Sequence, residues 1–146
     1  MTFNKYKDRS LTSCSTVLSI GAAKADELAD VPFDKVKQVW DNIKSYNYLM
    51  KYDFYPLTDF SLKDNALMVF QYDCPEKGEG CVICFRRANS PFPEVELLLK
   101  AIDAEAEYKI IDIDSGTETK VKGNQLQKFS VRMDRLESKV IKYVKL

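Results

Sequence analysis

Between positions 33 and 46 apolar residues recur at Val36, Val39, Trp40, Ile43 and Tyr46, with Lys37, Gln38, Asp41 and Lys44 between them. That spacing is close to the helical period and predicts an amphipathic helix over 33–45. Asp30 is placed to cap it, and Pro32 suits its first turn, where a missing N–H costs little. Upstream, the small, alanine-rich run IGAAKADELAD predicts only a short helix over 22–29. Beyond Tyr48 the pattern changes. KYDFYPLTDFSLKDN is aromatic and turn-rich, and the rest of the chain reads as short alternating runs separated by turn residues. Strands are predicted over 67–72, 82–86, 95–99, 107–113, 117–122, 129–133 and 139–144, with Asp114, Ser115 and Gly116 turning a hairpin. Apolar residues at every second position, as in Val95, Leu97 and Leu99, give each strand one face to bury. The expected architecture is a mainly β, antiparallel sandwich of Greek-key type over 52–146, preceded by a helical lead over 1–50.

Composition narrows the function classes. With 146 residues, 45% hydrophobic and 30% charged, the chain has one domain's worth of material and the make-up of an ordinary globular protein. Lys plus Arg equal Asp plus Glu at 22 each, and no run of one sign forms a stripe. Neither nucleic acid nor an anionic membrane is an expected partner. No stretch approaches the roughly 18 apolar residues of a membrane span, and MTFNKYKDRS lacks the apolar core of a secretion signal. A cytoplasmic location is expected. The absence of histidine removes the commonest neutral-pH base and zinc ligand, which excludes histidine-based triads and metal sites.

Several stretches invite a chemical reading. CPEKGEGCVIC holds Cys74, Cys81 and Cys84 within eleven positions, the density of a metal or redox motif. The interior of the CxxC is Val-Ile, however, which places Cys81 and Cys84 inside a strand, pointing to opposite faces. A Cys74–Cys81 disulfide fits a hairpin turned by Pro75, Gly78 and Gly80, but buried reduced thiols are favoured. Neither a metal nor a cofactor is expected. DIDSGTE, residues 112–118, resembles the start of a calcium loop but lacks the glycine and glutamate of the full register. Asp41, beside Trp40, falls on the charged side of its helix and reads as solvated. The aromatic run Tyr46, Tyr48, Tyr52, Phe54 and Tyr55 suits either a sugar-stacking platform or the packed junction between helix and sandwich, with the junction favoured.

Certain phrases recur in a known order. Asp53-Phe54-Tyr55-Pro56-Leu57-Thr58 follows a tyrosine-rich stretch; Phe70 to Asp73 form an aromatic-Gln-aromatic-Asp strand; an acidic turn with Gly-Glu-Gly leads to Phe85-Arg86-Arg87. A phrase from Ile102 to Gly116 then combines an alanine and tyrosine with Asp-x-Asp-x-Gly. In order and spacing these resemble the C-terminal part of α-galactosidases of glycoside hydrolase family 36, the melibiase type, over residues 33–146. Arg9-Ser10 and the helix from Phe33 resemble the closing strand and helix of that family's (β/α)8 barrel, whereas SLTSCSTVLSIGAAKADELAD departs from it.

The resemblance implies a non-catalytic sandwich packed on a catalytic barrel. Such enzymes are retaining glycosidases whose two aspartates sit at the ends of barrel strands, upstream of everything matched here. Val39-Trp40-Asp41 only imitates the nucleophile's motif, so no catalytic residue is assigned. The implied partners are the parent enzyme's barrel or, without it, another copy of the chain through an exposed apolar face; galactosides are a further candidate. A second reading is a free-standing carbohydrate-binding module using Tyr46, Tyr48, Tyr52 and Tyr55, and a third is a small metal or redox protein.

Overall fold

The computed structural model describes residues 4–13 and 32–146. Cys14, the helix expected over 22–29 and the Asp30 cap lie outside the described residues. The first element, α1 (Lys5–Thr12), opens on Asn4, whose side-chain oxygen accepts from the Lys7 N–H at 3.1 Å. Arg9-Ser10 is therefore helical and not the closing barrel strand that the resemblance implies. The Asn4 cap satisfies an orphan N–H of the first turn, and Arg9 and Thr12, one turn apart, are the buried residues. Next comes α2 (Phe33–Asn47), which buries Val36, Ile43 and Tyr46 and runs into a 3₁₀ turn, Tyr48–Lys51. Pro32 stands at the N-cap itself rather than inside the first turn.

Eight strands follow among the described residues: β1 (Asp53–Pro56), β2 (Leu67–Cys74), β3 (Glu79–Arg86), β4 (Glu94–Leu98), β5 (Glu107–Asp112), β6 (Glu118–Lys122), β7 (Lys128–Arg132) and β8 (Glu137–Lys145), with α3 (Gly123–Gln127) between β6 and β7. Seven match the expected runs. The exception, β1, is a four-residue edge strand whose pairing with β2 supplies what its sequence pattern does not. The strands form two antiparallel layers, a six-stranded sheet in the order β1-β2-β3-β8-β5-β6 and a two-stranded sheet of β4 and β7. The architecture is an unequal β-sandwich.

Alternation on β2 and β3 divides the core. One face of the large sheet presents Tyr72, Cys81, Ile83, Phe85 and Val140 to Tyr46 and Leu49 of the helical segment, and Tyr6 of α1 meets Phe85 edge-on at 5.4 Å. The opposite face sets Val69, Val82, Cys84 and Tyr143 against Leu126, Phe129, Val131 and Met133. Burying one such large apolar side chain stabilises the fold by about 1.5–3 kcal/mol. The helices thus cover one face and the β4–β7 pair covers part of the other.

The recurring phrases have structural counterparts. In the strand from Phe70 to Asp73, the aromatic rings enter the helix-covered face, while Gln71 and Asp73 turn the other way. Arg86 is buried and donates to the carbonyls of Met133 at 2.8 Å and Ser90 at 3.0 Å, tying two loops to the end of the sheet. Arg87 donates to Lys63 O at 2.6 Å. Gly78 lies in the β2–β3 turn, but Gly80 is a strand residue. A side-chain carbon at Gly80 would fall 2.1 Å from the Tyr143 hydroxyl and 2.6 Å from Tyr72 O, so its role is clearance.

Candidate functional site

The aromatic run does not converge on one surface. Tyr46 is 1% exposed and belongs to the core. Tyr48 and Tyr52 lie at the rim of the helix-covered face and share Lys77, whose ammonium is 5.7 Å from one ring and 6.0 Å from the other. Lys142 stands 4.9 Å from the Tyr48 ring and Lys51 5.2 Å from that of Tyr52. Three cations therefore surround two rings, an arrangement favourable in itself, and they occupy positions over ring faces that a stacked sugar would need. Tyr55 sits on β1 with the opposite orientation to Phe54, level with Gln71.

Glu79 completes the rim. The Tyr48 hydroxyl donates to its carboxylate, and Lys142 lies 3.4 Å away. That hydrogen bond, with the lysines, holds the Glu79 carboxyl below its ordinary range against its partial burial. Burial and the adjacent carboxylate push the Tyr48 phenol up. The pair is thus fixed as phenol and carboxylate, a hydrogen-bonded brace between the 3₁₀ turn and β3 rather than a proton-transfer couple.

A second polar group is built on the other face. Gln71 donates to Lys100 O at 2.8 Å and to the Tyr143 hydroxyl at 2.7 Å, and accepts from Lys100 N at 2.9 Å. Tyr143 in turn donates to Asp73 at 2.5 Å. Asp53 is level with Asp73 on the neighbouring strand. Burial first, then the Asp53 charge, raises the Asp73 pKa, and the Tyr143 hydrogen bond only partly opposes them. This chain of bonds holds β2, β8 and the loop after β4 together.

The third group lies between α1, α2 and the β5–β6 turn, beside an open cleft of about 410 Å³. Arg9, 2% exposed, donates to both carboxylate oxygens of Asp114 at 2.6 and 2.9 Å, to Ser138 O at 3.0 Å and to Asn42 at 3.1 Å. Lys5 adds an ion pair to Asp114 at 3.1 Å. Burial resists ionisation of Asp114, but the two cations outweigh it and hold the carboxyl below its usual range. The β5–β6 turn itself closes as a plain hairpin. Asp112 accepts from the N–H groups of Asp114 and Ser115 at 2.8 and 3.1 Å, and Gly116 takes φ +70°. The carboxylates of DIDSGTE are thus engaged: Asp112 with backbone, Asp114 with Arg9 and Lys5, and Glu118 with Lys109 at 3.2 Å. Nothing in the sequence linked Arg9 to Asp114, which stand 105 residues apart.

The remaining candidates fall into the same pattern. Asp41 is exposed and ion-paired to Lys37 one helical turn earlier. Cys74, Cys81 and Cys84 are buried free thiols; Cys81 and Cys84 belong to the cores on opposite faces. Burial pushes the Cys81 thiol up to about 12, far from the thiolate that redox or metal chemistry requires. Register sets Cys81 opposite Tyr72 and Cys74 opposite Glu79, so the two thiols are not cross-strand partners. Among the described residues no group of three or more potential ligands gathers for a metal ion, and no helix is long and apolar enough to cross a membrane.

No protein-family model and no curated protein matches the sequence. Solved structures do share the fold. The family 36 α-galactosidase AgaA of Geobacillus stearothermophilus superposes with a TM-score of 0.60 at 20% identity, over 87% of this chain and 17% of its own. AgaB of the same organism gives 0.56 at 21% identity, over 77% and 16%. The galactosidase domain of the α-galactosidase-sucrose kinase AgaSK gives 0.57 at 16% identity, over 77% and 16%. The chain therefore has the fold of one segment of these enzymes and spans about a sixth of their length.

Proposed function

We propose that this chain is the non-catalytic C-terminal sandwich, with the preceding barrel helix, of an α-galactosidase-like glycoside hydrolase, and that it serves as a structural module packed on a catalytic barrel. The observation that carries this reading is the fold match over most of this chain but only a sixth of AgaA and AgaB. The ordered motifs from Asp53 to Gly116 support it. So does the disposition of two carboxylates: Asp114 is committed to the buried Arg9 and Asp73 to Tyr143, each bracing the fold. The exposed Leu11 and Phe33 on the two helices offer apolar contact to a barrel.

The test is hydrolysis of a 4-nitrophenyl α-galactoside and of raffinose by the purified chain. No turnover above background is expected, and turnover abolished by replacing one of its carboxylates would overturn the reading. Mixing the chain with a family 36 α-galactosidase truncated before its sandwich should give a stable complex, seen by co-elution. Saturable quenching of Trp40 or tyrosine fluorescence by raffinose, without such a complex, would instead establish a free-standing sugar-binding module.

A further inference from the structure

The sandwich is asymmetric: two strands lie over six, and the covering is incomplete at the β5–β6 end. There, Ile110, Val121 and Ile141 of the large sheet are only partly buried and floor a groove of about 350 Å³, along which all five residues of β7 form one wall. Among the described residues β7 pairs with β4 alone, so its other edge is an unpaired strand edge. The direction of its backbone groups follows from the ladder. Met133 N donates to Pro93 O at 2.8 Å and Leu99 N to Gln127 O at 2.9 Å, which sets the odd-numbered residues of β7 as those bonded to β4. By the two-residue alternation of antiparallel pairing, the N–H and C=O groups of Lys128, Ser130 and Arg132 then point away from β4, along the groove.

An open edge beside an apolar floor is the geometry of strand addition, in which an incoming peptide gains main-chain bonds from the edge and side-chain burial from the floor. Charge selects the peptide. Lys128, Arg132 and Lys139 line the groove together with one carboxylate, Asp112, and that carboxylate already accepts two backbone N–H bonds. Arg132 has Glu94 at 3.8 Å; Lys128 and Lys139 have no ion-pair partner among the described residues. A second copy is disfavoured, since antiparallel β7–β7 pairing sets Lys128 against Arg132 and parallel pairing sets like against like.

We infer that the β7 edge is a docking site for an extended segment of a partner protein in which apolar residues alternate with Asp or Glu. The segment adds as a third strand to the small sheet, its apolar side chains over Ile110, Val121 and Ile141 and its carboxylates on the outer face, toward Lys128 and Arg132. This goes beyond the structural role proposed above and does not depend on it.

The test uses the full chain and a fluorescein-labelled (Glu-Val)4 peptide, followed by fluorescence anisotropy. Saturable binding is expected, with amide shifts in NMR spectra centred on Lys128, Ser130 and Arg132. Ser130→Pro removes an N–H directed at the peptide but none directed at β4, and should weaken binding about tenfold or more with the circular dichroism unchanged. Should that variant fold poorly, Lys128→Glu with Arg132→Glu decides: it should lose (Glu-Val)4 and gain (Lys-Val)4. Failure of (Glu-Val)4 to saturate, equal binding of octa-glutamate, or a charge-reversed protein that still prefers (Glu-Val)4 would overturn the proposal.

Discussion

Asp73 faces Asp53 across the β1–β2 ladder and is 4% exposed, a costly place for a charge. Its pKa is raised by burial and then by Asp53, despite the Tyr143 hydrogen bond. A carboxyl whose folded pKa exceeds its unfolded value contributes stability while protonated and loses that contribution as pH rises through the folded value. Asp73→Asn keeps an acceptor for Tyr143 and removes the like charge. We expect it to flatten the stability profile from about pH 4 toward neutrality and to raise stability at pH 7 by up to about 1 kcal/mol, measured by urea unfolding across pH. At this scale the sequence was legible wherever a residue's role follows from its own strand. Cys81 and Cys84 three apart must point to opposite faces. The function of Gly80 was not legible, because the group it makes room for, Tyr143, lies on another strand.

Helix α1 is held by an ion pair rather than by a broad apolar face: Arg9 and Thr12 are its buried residues. Asp114→Ala leaves the guanidinium buried with uncharged acceptors in place of its carboxylate, the Ser138 carbonyl and Asn42 among them. It should destabilise the fold by about 3–5 kcal/mol, with hydrogen exchange of α1 accelerating before that of the sheet. The sign of the pH effect is opposite to that of Asp73. Burial works against Asp114 ionising, yet Arg9 and Lys5 depress its pKa, so its contribution is present above the ordinary carboxylate pKa of about 4 and fades as pH falls through the folded value. Below about pH 4, exchange in α1 should therefore rise selectively. The elements with a strong period of their own, α2 and seven strands, could be read in advance. The rest, α1, β1 and α3, could not, since a polar cap, a partner strand or a five-residue connection decides them.

Taken as a whole, the molecule gathers exposed apolar side chains at one end of the large sheet. Phe60 and Leu62 are 80% and 83% exposed, and Phe92 is 67% exposed. Their loops are joined there by Asn89 N to Asp64 O at 3.1 Å and Arg87 N to Ala66 O at 3.3 Å. Rings and leucines so placed favour association when no larger partner covers them. The isolated chain should sediment above its monomer mass of 16.8 kDa at tens of micromolar, judged against the roughly micromolar affinities of modest interfaces. Phe60→Ser with Leu62→Ser should restore the monomer; a wild-type chain that stays monomeric under those conditions would count against this end being adhesive.

What the sequence determined by itself was what local periodicity can carry: an amphipathic helix, a series of strands with one apolar face each, and hence a sandwich with a helical lead. Its ordered motifs also pointed to family 36 enzymes, whose fold the structure shares. Tertiary structure alone decided where the polar groups went. Arg9 finds Asp114, Gln71 reaches Tyr143, and Tyr46 enters the core while Tyr48 and Tyr52 remain at a lysine-rimmed edge. It also decided that, among the described residues, a six-stranded sheet would be faced by a two-stranded one, leaving β7 without a strand partner on its outer edge. These outcomes depend on residues from distant strands arriving at one place, and a pairing across a hundred residues leaves no periodic trace in the chain that forms it.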